Sequence, residues 1–414
     1  MQNRILTLYN EYPKPLWVLM LANFIDRLGG SLLFPFFALY ITQRFNVGMI
    51  QVGYLFAIFS LTSIVGGILG GALTDKLGRR TMLLFGLVTS GLSTLLMAYI
   101  GSIAVFYTLA AFVGLLSNAG GPASQAMIAD LLPEEKRAQG FALHRVIFNL
   151  AIVFGPAIGG LIAAQSYFLL FITDAVVSSI VAVIVFIGIP ETKPALQEGQ
   201  VEETVAQSVG GYRHVLADGL FMAFLLISTL VTVVYVQMNS TLGVFMRDVA
   251  GFTPLYYGYL LSLNAAMVVV MQFWITRRLT GWAPMVLMAV GTMGYAIGFG
   301  MYGFGSSFLW FALAMAILTI GEMVLAPEGT ALVARFAPEH MRGRYMGMFG
   351  FTWGIAFAVG PLAAGYIMDL YDPRWVWYIS FFLGSVGALG YLVLHAATQK
   401  RFAVVKMEEA PATP

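Results

Sequence analysis

The sequence predicts an all-α integral membrane protein, twelve transmembrane helices in two pseudo-symmetric six-helix bundles. Three observations carry that reading. Of 414 residues, 59% are hydrophobic and 10% charged, whereas about a quarter are charged in soluble proteins. Twelve apolar runs reach the roughly 20 residues that cross a bilayer, and none shows the in–out alternation of membrane β-strands. The chain also matches itself. Pro122, Ala126, Ala129, Pro133, Glu134, Arg137, Ala151, Gly155, Pro156 and Gly160 align without a gap on Pro327, Ala331, Ala334, Pro338, Glu339, Arg342, Ala356, Gly360, Pro361 and Gly365. The shift is about half the chain, so one unit is written twice.

The runs fall at roughly 15–42, 50–73, 81–100, 104–131, 141–164 and 167–189, then 219–245, 254–276, 283–302, 307–333, 344–369 and 375–397. An N-terminal bundle over 1–190 and a C-terminal bundle with a short tail over 219–414 follow. The polar connection 191–218 joins them. It is acidic (Glu191, Glu198, Glu202, Glu203) and reads as a flexible linker with one amphipathic turn around Tyr212–Leu216. Lys and Arg bias sets the orientation. With the N-terminus inside, the inner segments hold Lys76, Arg79, Arg80, Lys136, Arg137, Arg277, Arg278 and most other cations. The outer loops hold only Arg44, Arg247 and Arg374. Both termini are expected on the cytoplasmic side, since twelve crossings return the chain to where it began.

Composition also excludes. A net charge of +2 is too small to suggest nucleic acid as a partner. With no cysteine, disulfides, thiolate metal sites and cysteine catalysis fall away. His144, His214, His340 and His395 have no metal-ligand spacing, no Walker-type phosphate loop occurs, and no nucleophile–base set suggests catalysis. No cofactor is expected. The first apolar run has no small-residue cleavage site after it and should remain as an anchor. Two parallel copies of a multi-helix membrane unit are a transporter architecture, with the substrate site between the copies.

Gly71 to Arg80 reads Gly-Ala-Leu-Thr-Asp-Lys-Leu-Gly-Arg-Arg, directly after the second run. A carboxylate four residues before an arginine, around a turn-making glycine, makes a compact salt-bridged loop. Asp75 could also serve the positive end of another helix. The stretch resembles the G-x-L-x-D-x-x-G-R-R signature of the major facilitator superfamily. That resemblance implies the major facilitator fold and assigns Gly71, Asp75, Gly78, Arg79, Arg80 and Asp130 to a gating loop that locks the outward-open state. The second-half counterpart, Thr276 to Gly281, lacks the aspartate, so the lock would be one-sided. A purely topogenic positive loop is the competing reading.

In the fifth run, Ala151, Gly155 and Gly159 are spaced four apart, which flattens one face for close helix approach. Pro156 removes a backbone hydrogen bond there. Ala356, Gly360, Pro361 and Ala364 repeat the device in the eleventh run. Gly155-Pro156-Ala157-Ile158-Gly159-Gly160 resembles the G-P-x-x-G-G signature of drug:proton antiporters within that superfamily, with a role in packing and rocking. Leu28-Gly29 followed by Pro35 is similar to a first-helix signature of the same group.

Charges inside the membrane are the candidate chemistry, because each costs roughly 2.5–3.5 kcal/mol unless paired, hydrated or neutralised. Asp26 and Arg27 lie near mid-depth of the first run, about 100° apart around the helix. Asp174 in the sixth run is the expected ion-pair partner of Arg27, leaving Asp26 to titrate. Glu322 and Glu328 lie in the tenth run, where repeat symmetry sets them opposite Ser117 and Ala123. Asp26, Glu322 and Glu328 are the proton-coupling candidates, with a hydrogen-bonded structural glutamate as the alternative for the last two. Arg145 either snorkels to lipid phosphate or faces a cavity. The fold that the resemblance implies places the first, fourth, seventh and tenth helices around a central space. Its polar candidates are Asn23, Asn118, Gln125, Tyr235, Gln237 and Asn239, with Asn149 from the fifth helix and Asn264 and Gln272 from the eighth.

The resemblance covers the whole chain and is closest to bacterial twelve-helix efflux antiporters. It implies a monomer in the bacterial inner membrane that exports small amphipathic or drug-like molecules in exchange for protons. Two other readings stay open: a carrier of the same fold for a sugar, peptide, metabolite or lysolipid, and a non-transporting membrane receptor.

Overall fold

The computed structural model describes residues 12–117, 120–193, 212–279, 281–338 and 341–408. Among the described residues all regular structure is helical, and twelve helices are long and apolar enough to cross a membrane. They are α1 Lys14–Phe45, α2 Met49–Gly67, α3 Arg79–Tyr99, α4 Ile103–Leu131, α5 Gln139–Gln165, α6 Tyr167–Gly188, α7 Gly219–Ser240, α8 Pro254–Leu279, α9 Pro284–Met301, α10 Phe308–Phe336, α11 Arg344–Leu370 and α12 Trp375–Gln399.

Helix starts follow local chemistry. Pro15 and Pro284 occupy the first turns of α1 and α9, where a missing N–H removes no helical bond. Ser307 caps α10, its hydroxyl accepting from the Trp310 amide. Two expected continuous runs are interrupted. Pro35 converts Phe34–Phe36 of α1 to a 3-10 turn, because proline cannot donate to the preceding turn. The seventh run stops at Ser240, and a separate short helix spans Leu242–Asp248. The turn expected around Tyr212–Leu216 is helical at 212–217.

Contacts group the described residues into two compact units. One takes in α1–α6 with Asn239–Ala265 and Pro361–Gly365; the other takes in the rest of α7–α12. The units therefore depart from the two sequence bundles at the end of α7, the start of α8 and a few residues of α11. Glycines make the close approaches inside the first unit. Gly160 of α5 lies against Gly258 of α8, and Gly53 of α2 against the backbone of Leu362. In lipid there is no hydrophobic gain from helix association, so such van der Waals fits carry the packing.

Within the first unit α1 packs on α5, α2 on α4, and α3 on α6. The α3–α6 pairing recurs in the second unit as α9–α12, and α9 also packs along α10. There Gly291 and Gly294 meet Gly321 backbone to backbone. This contact draws α10 tight against α9 one residue before Glu322.

Candidate functional site

The first unit contains a cavity of about 360 Å³ between α1, α3, α4 and α5. Asn23, Asp26 and Arg27 enter it from α1, Ser124 and Gln125 from α4, and His144 and Phe148 from α5. The Arg27 guanidinium lies over the Phe148 ring, 3.8 Å from its centroid, a cation–π contact. Asp26 is its electrostatic neighbour. Asn23 accepts from the Ser124 hydroxyl at 3.1 Å, and its amide nitrogen is buried with no partner among the described residues.

The expected Arg27–Asp174 ion pair is absent. Asp174 is buried and accepts from Thr94 of α3 at 2.9 Å, and its other oxygen lies against Gly29. Arg27 turns toward Phe148 of α5 while Asp174 faces Thr94 of α3. Thr94 was not foreseen, since a threonine in an apolar helix usually bonds back to its own backbone, as this one also does to Ser90.

The second unit holds a smaller cavity, about 180 Å³, between α7, α9, α10, α11 and α12. Glu322 points into it, and the Tyr235 hydroxyl donates to Glu322 Oε1 at 3.0 Å. The Tyr235 ring stacks on Tyr295 at 5.5 Å and meets Trp353 edge-on at 5.6 Å. Tyr391 closes another wall, its hydroxyl 2.9 Å from Ser228. Glu322 and Tyr235 were expected near a cavity. Tyr295, Trp353 and Tyr391 were not, because an aromatic residue in an apolar run reads equally as lipid-facing. Glu328 is half-buried and not among the lining residues, with Arg335 its electrostatic neighbour along α10.

The remaining polar candidates divide. Gln125 lines the first cavity. Gln237 is buried, donating to Val233 of its own helix and lying against Gly360 of α11. Gln272 is engaged by Met323 O and Thr276. Neither lines either cavity, nor do the buried Asn264 and half-buried Asn239. Arg145 and Asn149 are exposed outside the lined space. Asn118 lies outside the described residues.

Around the second-helix loop, the helix that carries α2 continues past the span to Leu77, and Gly78 turns the chain with φ +98° before Arg79, a conformation natural to glycine. Arg79 Nε pairs with Asp130 Oδ2 at 3.1 Å. Arg80 donates to the Phe186 carbonyl and lies 5.0 Å over its ring. The side chain of Asp75 lies outside the described residues. Glu191, expected in the flexible linker, is docked: its carboxylate accepts from the Arg79 amide at 2.8 Å and the Arg80 amide at 3.2 Å. It thus caps α3, whose start lacks a side-chain cap of its own. Burial would push its carboxyl up, but bonds from the amides of Lys193, Arg79, Arg80 and Thr192 outweigh that and hold it below the usual range. Thr192 and Lys193 reach back to Asp130 and the Lys76 carbonyl.

The Gly-Pro device packs two helix pairs. A Cβ at Gly155 would overlap the Ser31 hydroxyl, which bonds Leu28 O at 2.9 Å and Ala151 O at 3.1 Å. Gly159 lies on Leu32 O, so α5 sits flat on α1. Gly360 lies against Val236 of α7, the repeat-related pair.

These features agree with what the chain is similar to. The Na(+), Li(+), K(+)/H(+) antiporter of Planococcus maritimus is 25% identical over 85% of this chain and 89% of its own. The multidrug resistance protein MdtH of Salmonella paratyphi B is 24% identical over 93% and 96%. Among solved structures, a POT family transporter in complex with 5-aminolevulinic acid superposes with TM-score 0.76 at 15% identity, covering 94% of this chain and 97% of that one. The nucleoside transporter NupG gives 0.76 at 13%, covering 92% and 99%. At such identities the structures speak for the fold alone. The model of the Major Facilitator Superfamily matches residues 19–327 and 282–414, and with twelve spans in place this multi-pass membrane chain belongs to that superfamily of transporters.

Proposed function

We propose that the protein is a proton-coupled secondary transporter that exports small amphipathic or drug-like molecules by alternating access. The observation that carries this reading is the Tyr235–Glu322 contact inside an aromatic-walled cavity. A phenol hydroxyl donates to a carboxylate and accepts from a carboxylic acid, so the contact survives a proton arriving or leaving. The ring faces accept apolar surface and attract a positive head group. Asp26 is the second proton-coupling group, in the first cavity beside Arg27, with Glu328 a third. Arg79, Asp130 and the Glu191 cap form the gating cluster on the cytoplasmic side, where both termini lie. Similarity to a multidrug resistance protein supports export, and similarity to a cation/proton antiporter supports exchange.

The energetics suffice. One proton moving inward across about 100 mV supplies about 2.3 kcal/mol, and one pH unit adds about 1.4 kcal/mol. Together these sustain a gradient of several hundred-fold for a neutral substrate. A second reading, alkali-cation/proton exchange at the same carboxylate, is favoured by the Planococcus relative. Proteoliposomes with an imposed pH gradient, given Na+, Li+, K+ and a panel of amphipathic compounds, separate the two. The first reading expects proton movement with an amphipathic compound only. Substrate flux without proton movement overturns both.

A further inference from the structure

Three spans end around a cavity that neither carboxylate site uses. Tyr40, Gln43 and Arg44 come from the last turns of α1, Ala98 and Tyr99 close α3, and Tyr167 and Phe168 open α6. The cavity measures about 510 Å³. Because the spans stop there, it lies at the level of the membrane surface, where lipid phosphates sit. Its rim is aromatic: Tyr99 is 67% exposed and meets Phe168 edge-on at 5.4 Å. Such rings mark the membrane–water boundary. Below the rim, exposed Leu92 and Leu96 run down α3, and Leu169 and Val176 run down α6, faces suited to acyl chains.

The interior offers donors. Among the described residues Arg44 makes no ion pair and has the Tyr40 hydroxyl as its polar neighbour, while the Arg247 nearby is engaged by Asp248 at 2.6 Å and by Leu39 O. The Tyr167 hydroxyl is buried with no hydrogen-bond partner among the described residues. A guanidinium beside an unengaged hydroxyl calls for an acceptor anion, and phosphate matches the guanidinium fork. We propose that this cavity binds the phosphodiester head group of an anionic phospholipid, with Arg44 and Tyr167 donating to it and the acyl chains lying along α3 and α6.

Native mass spectrometry of the full chain, titrated with phosphatidylglycerol or zwitterionic phosphatidylcholine, tests this. Wild type should retain phosphatidylglycerol about fivefold more strongly. Arg44→Gln should erase that preference, and Tyr167→Phe should weaken it. Arg374→Gln, an exposed cation of the second unit paired with Asp372, should leave it intact. Arg44 is exposed, so its variant should fold, and an unchanged melting temperature checks that. Equal retention by wild type and Arg44→Gln overturns the proposal. So does displacement of the lipid by millimolar inorganic phosphate, which would make the ligand a soluble anion.

Discussion

The two units keep carboxylates inside a membrane protein by different chemistry. In the first, Asp26 has a guanidinium as its chain neighbour and Asp174 takes a threonine hydroxyl. In the second, Glu322 takes a tyrosine hydroxyl within a wall of rings. A guanidinium only donates, and so serves a carboxylate in its charged form alone; a phenol serves both forms. The guanidinium beside Asp26 favours one protonation state, whereas the hydroxyl on Glu322 tolerates two. On this account the moving proton belongs to Glu322, with Asp26 contributing less.

Exchanging the carboxylates one at a time gives the largest expected effect. Glu322→Gln should abolish accumulation driven by a proton gradient, a loss of several hundred-fold at about 100 mV and one pH unit if one proton drives transport. Asp26→Asn, read by the same vesicle assay, should reduce it by about tenfold or less. Equal losses would erase the distinction between the units. Tyr235→Phe removes one hydrogen bond to a charged group, about 1.5–3 kcal/mol, and should slow transport by at least about tenfold.

Packing supplies the next comparison. Gly155→Val pushes a side chain into Ser31 and breaks its bond to Ala151 O; overpacking of this kind costs about 1–3 kcal/mol. Gly360→Val meets a side chain, Val236, that can yield. Thermal unfolding in detergent should show the greater loss at Gly155.

The smallest effect concerns Glu191. Its folded pKa lies below the ordinary value, so its stabilisation is complete above the usual carboxylate range and is lost as pH falls through the lowered value. Its exposure limits the contribution to about 0.3–1 kcal/mol. Wild type should therefore exceed Glu191→Gln in melting temperature at neutral pH, and the two should converge in acid.

Much of this was legible in the sequence because it is periodic. Helix length, the repeat and the small-residue face of α5 are spacings along one chain, and Ala151, Gly155 and Gly159 meet α1 as that spacing implies. What sequence reading missed depends on direction around a helix or on distant segments. Asp174 and Arg27 face different neighbours, Thr94 and Phe148. Glu191 reaches an amide 112 positions away in the chain. Tyr295 and Trp353 cannot be told from lipid-facing aromatics until the neighbouring helices are placed.

In the proposed mechanism Glu322 carries the proton without being needed for substrate passage. The most direct measurement compares, in Glu322→Gln vesicles, substrate exchange at equal pH with accumulation driven by a pH gradient. Exchange should persist at near wild-type rate while accumulation vanishes. Accumulation equal to wild type would contradict it.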